Sequence, residues 1–279
     1  MQSRYFCVES FVEGAERARL AQLMDAAAVD IAELLGIPLS PRKMATVTVG
    51  AASSQVSGSD IRIQAKPPLG RYSSLDWFEL LFRHELTHLL VRRHWGTAPA
   101  LFWEGLPIHL GDELVRKRLF GHSYRAHCAA LFACGPLIAL SRLILPSDYY
   151  GMRTDFRVDL QAGAFTAFVL ERNTIQDLRS LFRTYRQPSP QRPWVAIDRL
   201  CQKTLGADLV ELECLWQRWL EGIPVDTDLV RSYHEIRFTD RAVVRTRCDF
   251  CMHRLDPSGK KCTSCGQLPV PVELRRARS

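Results

Sequence analysis

Apolar and polar positions alternate loosely from Tyr5 to Val12, a pattern that predicts a strand. From Glu13 to Leu35 the apolar positions Leu20, Leu23, Ala27, Ile31 and Leu34 recur with a helical period, and Gly36-Ile37-Pro38 stops the helix. Ala45–Gly50 and Asp60–Ala65 return to alternation and predict two more strands, separated by a Ser/Gly-rich turn over Ser53–Ser59. Pro67-Pro68-Leu69-Gly70 closes this small sheet. Ser73, with Asp76 three residues on, offers a capping-box-like start to a helix running to about His94, and Gly96–Pro99 turns the chain back.

A second helix holds Phe102–Glu113. Pro107 lacks the backbone donor that a helix interior needs, so this helix is expected to begin near Glu104 or to kink there. Cys128–Ser141 is apolar and uncharged, too short to span a bilayer, and reads as a buried helix. Pro146–Asp155 reads as a loop, Leu160–Glu171 as a helix, and helical pieces continue to Leu220 around a loop at Gln187–Pro193. The pattern weakens after Gly222-Ile223-Pro224, so residues 1–222 read as one body and 223–279 as a linker with a small module. A small N-terminal sheet followed by a mostly helical body is an α+β order.

Composition changes this picture little. The 279 residues are 47% hydrophobic and 24% charged, as in an ordinary globular chain. The net charge of +7 permits an acidic partner without demanding one. Met1–Ser10 has no apolar core followed by a small-residue cleavage site, so no secretory signal is expected. Nine cysteines, four of them clustered near the C-terminus, point to metal binding and a reducing cytoplasm rather than a disulfide framework. Cys7, Cys128, Cys134, Cys201 and Cys214 sit among apolar neighbours and read as core thiols.

The chemistry concentrates in His84-Glu85-Leu86-Thr87-His88. On a helix, residues four apart share a face, so both imidazoles reach one metal ion while Glu85 flanks it. This is the H-E-x-x-H arrangement of zinc hydrolases: two ligands and a general base. A catalytic zinc takes a third protein ligand and leaves a position open for water. His94 has a metzincin-like spacing, but Val91 stands where that pattern needs a turn-permitting glycine. On a continuing helix His94 would point about 240° away from His88. Glu104 is the better candidate. It follows a turn that returns the second helix alongside the first, and its carboxylate lies on an apolar helix, where an unpaired anion is costly. Pairing with Arg92 or Arg93 is the alternative use for it. His109, five residues on, is rotated off its face.

On His84–His88 and Trp103-Glu104-Gly105-Leu106, the chain resembles the gluzincin metallopeptidases of the peptidase MA-like superfamily, which includes thermolysin and a class of aminopeptidases. The Ala162–Arg172 helix and the segment Thr204–Leu220 look like later helices of that family, so the resemblance covers residues 1–222. It implies a zincin-like catalytic domain with His84, His88 and Glu104 as zinc ligands and Glu85 as general base for peptide hydrolysis. Two positions depart from the family pattern. Position 107 is Pro, and Asp159 stands where a tyrosine oxyanion donor is expected, leaving Tyr149 and Tyr150 as substitutes. The segment with which aminopeptidases hold a free amine is absent. The Asp60–Ala65 strand, taken as the sheet edge, is expected to hold an extended peptide by strand addition.

Cys248-Asp249-Phe250-Cys251 and Cys262-Thr263-Ser264-Cys265 form two C-x-x-C pairs, a structural zinc signal resembling a zinc ribbon, with rubredoxin-like iron and disulfides as alternatives. Residues 223–279 carry eleven basic against seven acidic residues, a net charge of +4. A basic ribbon can bind a nucleic-acid or protein partner, but solvated charge is the commoner explanation of such a surplus. Two other readings stand beside the metallopeptidase: a Spartan/SprT-like protease acting near nucleic acid, which would need a histidine third ligand, and a peptidase-fold scaffold without turnover.

Overall fold

Local periodicity becomes a sheet because the first strands have a helix long enough to cross over between them. The computed structural model describes residues 3–9, 14–40, 44–51, 54–64, 74–115, 122–135, 137–152, 155–186 and 193–237. Strand β1 (Phe6–Glu9) leads through helix α1 (Gly14–Leu35) to β2 (Ala45–Ala51), and β3 (Gln55–Ser57) turns into β4 (Asp60–Gln64). The strand order is β1-β2-β4-β3. β1 and β4 both run parallel to β2, and β3 runs antiparallel to β4. Val47, Ile61 and Ile63 bury their side chains completely, as do Met24, Ala27, Ile31 and Leu35 of α1.

The Ser/Gly-rich stretch expected to be only a turn therefore contains an edge strand, β3. Gly58, at φ +60°, supplies the left-handed residue of its tight return. One consequence is a correction: β4 is paired on both sides, so the edge strands of this sheet are β1 and β3, not the expected Asp60–Ala65. Strand β3 is three residues long, with Gln55 and Ser57 exposed, too little alternation to read from sequence.

The helical body starts with α2 (Ser74–His94), which carries the H-E-x-x-H segment and packs on α1, β3 and β4. Arg83, buried, ties α2 to α1 through Asp30 at 2.9 Å and reaches Glu79 of its own helix at 3.0 Å. At the far end Arg92 donates to the Gly58 carbonyl at 2.6 Å, joining α2 to the β3–β4 turn. The chain turns at Trp95 and Gly96 and returns as α3 (Ala100–Val115). This helix begins a turn before Glu104 and continues through Pro107, which is buried.

Three further elements refine the sequence reading. The apolar stretch expected as one buried helix is two: α4 (Tyr124–Ala133) and α5 (Leu140–Ile144), parted at Gly135, whose φ is +142°. The expected loop after Leu145 contains α6 (Pro146–Gly151), with Pro146 in the first turn, where its missing N–H costs nothing. Past the expected boundary at 222, α11 (Thr227–Arg237) packs on α4: Tyr233 buries its ring, and its hydroxyl lies 2.6 Å from Nδ1 of the fully buried His127. Between them run α7 (Phe156–Arg172), α8 (Ile175–Thr184), α9 (Pro193–Leu205) and α10 (Leu209–Glu221). The whole is α+β, a small N-terminal sheet against a helical body.

Helices α3 and α7 approach unusually closely, and two glycines permit it. A methyl group at Gly105 would lie 2.3 Å from the Thr166 hydroxyl and 2.4 Å from the Ala162 carbonyl; at Gly163 it would lie 2.5 Å from an Ile108 methyl. Gly105 follows Glu104 directly, so this contact sets where the carboxylate sits. Replacing Gly105 by Ala forces a backbone shift and should destabilise the protein by about 1–3 kcal/mol, the usual cost of overpacking. Chemical denaturation measures it; an unchanged midpoint would show that the close approach is not required.

Candidate metal centre

His84 and His88 project from one face of α2, a turn apart, towards the returning α3. Their Nε2 atoms are 3.1 Å apart, and each lies 3.5 Å from Oε2 of Glu104. Donors about 2.0–2.1 Å from one tetrahedral zinc lie roughly 3.3–3.4 Å from one another. The three edges of this triangle match that spacing within a few tenths of an ångström. Two imidazole nitrogens and one carboxylate oxygen are also a donor set suited to zinc. Among the described residues this is the one group of three or more His, Cys, Asp or Glu side chains that converges in this way.

Burial sharpens the point. Glu104 is 7% exposed, yet among the described residues its ion-pair partners are His84 and His88, not Arg92 or Arg93. Burial alone would push its carboxyl up. Hydrogen bonds and charge from His84 and His88 outweigh that and hold it well below the usual carboxylate range. His84 is pulled the other way by the same contact: burial lowers its pKa, but Glu104, with the charges of Glu85 and Asp159, raises it above the ordinary value. The arrangement gathers carboxylate charge around the imidazoles, a field that favours a divalent cation between them.

The neighbours fix these side chains. Trp103 stacks on His88 with ring centroids 4.7 Å apart and planes 27° from parallel. Thr87 donates to the Arg83 carbonyl at 2.8 Å, keeping its hydroxyl within the helix. Glu85 is buried beside His84, close enough for its charge to act on that ring. His84 is only half-buried, which opens the cluster to solvent on that side.

Helix α6 supplies two hydroxyls that no spacing rule had linked to the site. Tyr150 donates to Oε1 of Glu104 at 2.7 Å, leaving Oε2 facing the histidines. Tyr149, fully buried, donates to Asp159 at 3.0 Å, and burial followed by that carboxylate's charge pushes its phenol far above the ordinary value. Asp159, the position that departs from the gluzincin pattern, thus serves as the acceptor for Tyr149. Both tyrosine hydroxyls expected as oxyanion donors are bonded to carboxylates here.

Other sequence candidates fall elsewhere. His94 is exposed in the last turn of α2, apart from the triangle, and slight burial with the charges of Arg179 and Arg93 lowers its pKa. His109 is half-buried on α3 outside the group. Cys128 and Cys201 are core thiols, the latter pushed up to about 12 by burial. Cys7 and Cys214 are exposed and Cys134 half-buried, so the core reading does not extend to them. Cys248, Cys251, Cys262 and Cys265 lie outside the described residues, as does Ser73. No protein-family model, curated protein or solved structure matches the chain.

A metal count separates the two sites. The full chain is expected to carry two zinc ions, falling to one in a His84→Ala/His88→Ala double variant, by elemental analysis of dialysed protein. A single ion that survives the double substitution would leave the triangle as a hydrogen-bonded cluster without a metal.

Proposed function

We propose that this chain is a zinc-dependent metallopeptidase in which His84, His88 and Glu104 hold the ion and Glu85 is the general base. The observation that carries the reading is the Nε2–Nε2–Oε2 triangle, with edges of 3.1, 3.5 and 3.5 Å, beside the buried Glu85 carboxylate. Two histidines and a glutamate leave one position of a tetrahedral ion unfilled by protein, as a catalytic rather than a structural site requires. When bound, the ion supplies Lewis acidity, acidifying water and polarising a carbonyl oxygen. Peptide as the substrate rests on the resemblance to gluzincins.

In that reading Glu85 accepts a proton from the attacking water and delivers it to the leaving amine, the work of a carboxylate held next to the reacting atoms. Trp103 keeps the His88 ring in plane, and Tyr150 keeps Glu104 turned. An extended peptide would add to the exposed edge at β3, beside α2, its main chain bonding to the strand. No helix of the described residues is long and apolar enough to cross a membrane. The cysteine pattern is the reason for assigning the protein to the cytoplasm.

Glu85→Gln removes the base while leaving the metal ligands in place. Peptide hydrolysis should fall by roughly 10²–10⁴-fold with zinc content unchanged. Activity equal to the parent at full zinc occupancy would remove Glu85 from the mechanism.

A further inference from the structure

We propose that Tyr150 is a positioning residue that restricts Glu104 to one-oxygen ligation and thereby keeps the remaining metal position open. The proposal rests on the metal-site reading above and assigns Tyr150 a role other than oxyanion donor. A glutamate side chain has two equivalent oxygens. Unrestrained, it rocks between binding a zinc ion through one oxygen and through both, and the second mode fills a position that water needs. Here the two oxygens are not equivalent. Oε1 accepts the Tyr150 hydroxyl at 2.7 Å, while Oε2 faces His84 and His88 at 3.5 Å each.

The donor is itself held. Tyr150 is 41% exposed, but its ring meets the Tyr149 ring edge-on, at a centroid separation of 5.5 Å and an angle of 75°. Tyr149 is 1% exposed and anchored by its own hydrogen bond to Asp159 on α7. The order of restraint runs from the core through Tyr149 to Tyr150 and then to the carboxylate. It joins α6 and α7 to a ligand carried on α3. A phenol has one proton to donate, and this one is given to Glu104. Outer partners of this kind set the orientation of ligating carboxylates, and their loss commonly weakens metal binding by about 10–100-fold.

Tyr150→Phe in the full chain tests this, since it deletes only the hydroxyl at a partly exposed ring. The unfolding midpoint of the metal-free variant, matched to the parent, excludes a folding defect. Zinc affinity is measured by competition with a chelator. Cobalt(II) serves as the spectroscopic probe, with the His84→Ala/His88→Ala chain subtracted as the baseline for the C-terminal cysteines. The expected result is zinc binding weakened about 10–100-fold and a cobalt visible spectrum shifted towards the weaker bands of a higher-coordinate ion. Unchanged affinity and spectrum overturn the proposal. If peptide hydrolysis falls in that case, Tyr150 is an oxyanion donor. If the parent chain binds no ion that depends on His84 and His88, both this proposal and the metal reading fall together.

Discussion

The structure turns on an anionic carboxylate held largely out of water. Glu104 sits inside an apolar helix, 7% exposed, and among the described residues no lysine or arginine neutralises it. An uncompensated buried charge costs several kcal/mol, so a fold that keeps one must supply opposite charge nearby. Here Oε2 faces two imidazoles from α2, 3.5 Å from each, and the three donor atoms are spaced like three corners of a tetrahedron around one cation. Much of the surrounding packing follows from that constraint. Gly105 and Gly163 let α3 press against α7, Trp103 braces His88, and α6 brings a hydroxyl to the second carboxylate oxygen.

The same constraint explains why α2 is held both at its middle and near its C-terminal end. Arg83, one residue before His84, pairs with Asp30 across to α1, and Arg92 reaches the β3–β4 turn. A triangle of donor atoms with edges of 3.1 to 3.5 Å tolerates little sliding of one helix against another. The small sheet helps to prevent that sliding, because it gives α1 and α2 a surface on which to settle. It also leaves the edge strand β3 beside α2. The candidate site and the scaffold therefore meet in α2, which carries His84, Glu85 and His88 while touching both layers.

How much of this was legible depends on how local each determinant is. His84, Glu85 and His88 were readable because one helical turn fixes their relation, whatever the rest of the chain does. Glu104 needed a further step, the cost of an isolated carboxylate on an apolar helix, and the structure brings it to the same point. Helices with long apolar periods, such as α1 and α2, were readable near their ends. Strand β3 was not, because three residues with an exposed–half-buried–exposed pattern leave no periodic signal. The break at Gly135 and the short α6 depend on packing against distant helices. Tyr150 lies 46 residues from Glu104, and no pattern along the chain announces that bond. Asp159 reads as a departure in sequence and becomes an acceptor for Tyr149 only once α6 and α7 are adjacent.

The central claim is that one ion lies between His84, His88 and Glu104. The most direct measurement is a crystal structure of the zinc-loaded full chain, with anomalous data collected on both sides of the zinc absorption edge. The account predicts an anomalous peak about 2.0–2.1 Å from both Nε2 atoms and from a single oxygen of Glu104. Density for a fully occupied chain without a peak at that position would contradict it, even with zinc present at the C-terminal cysteines.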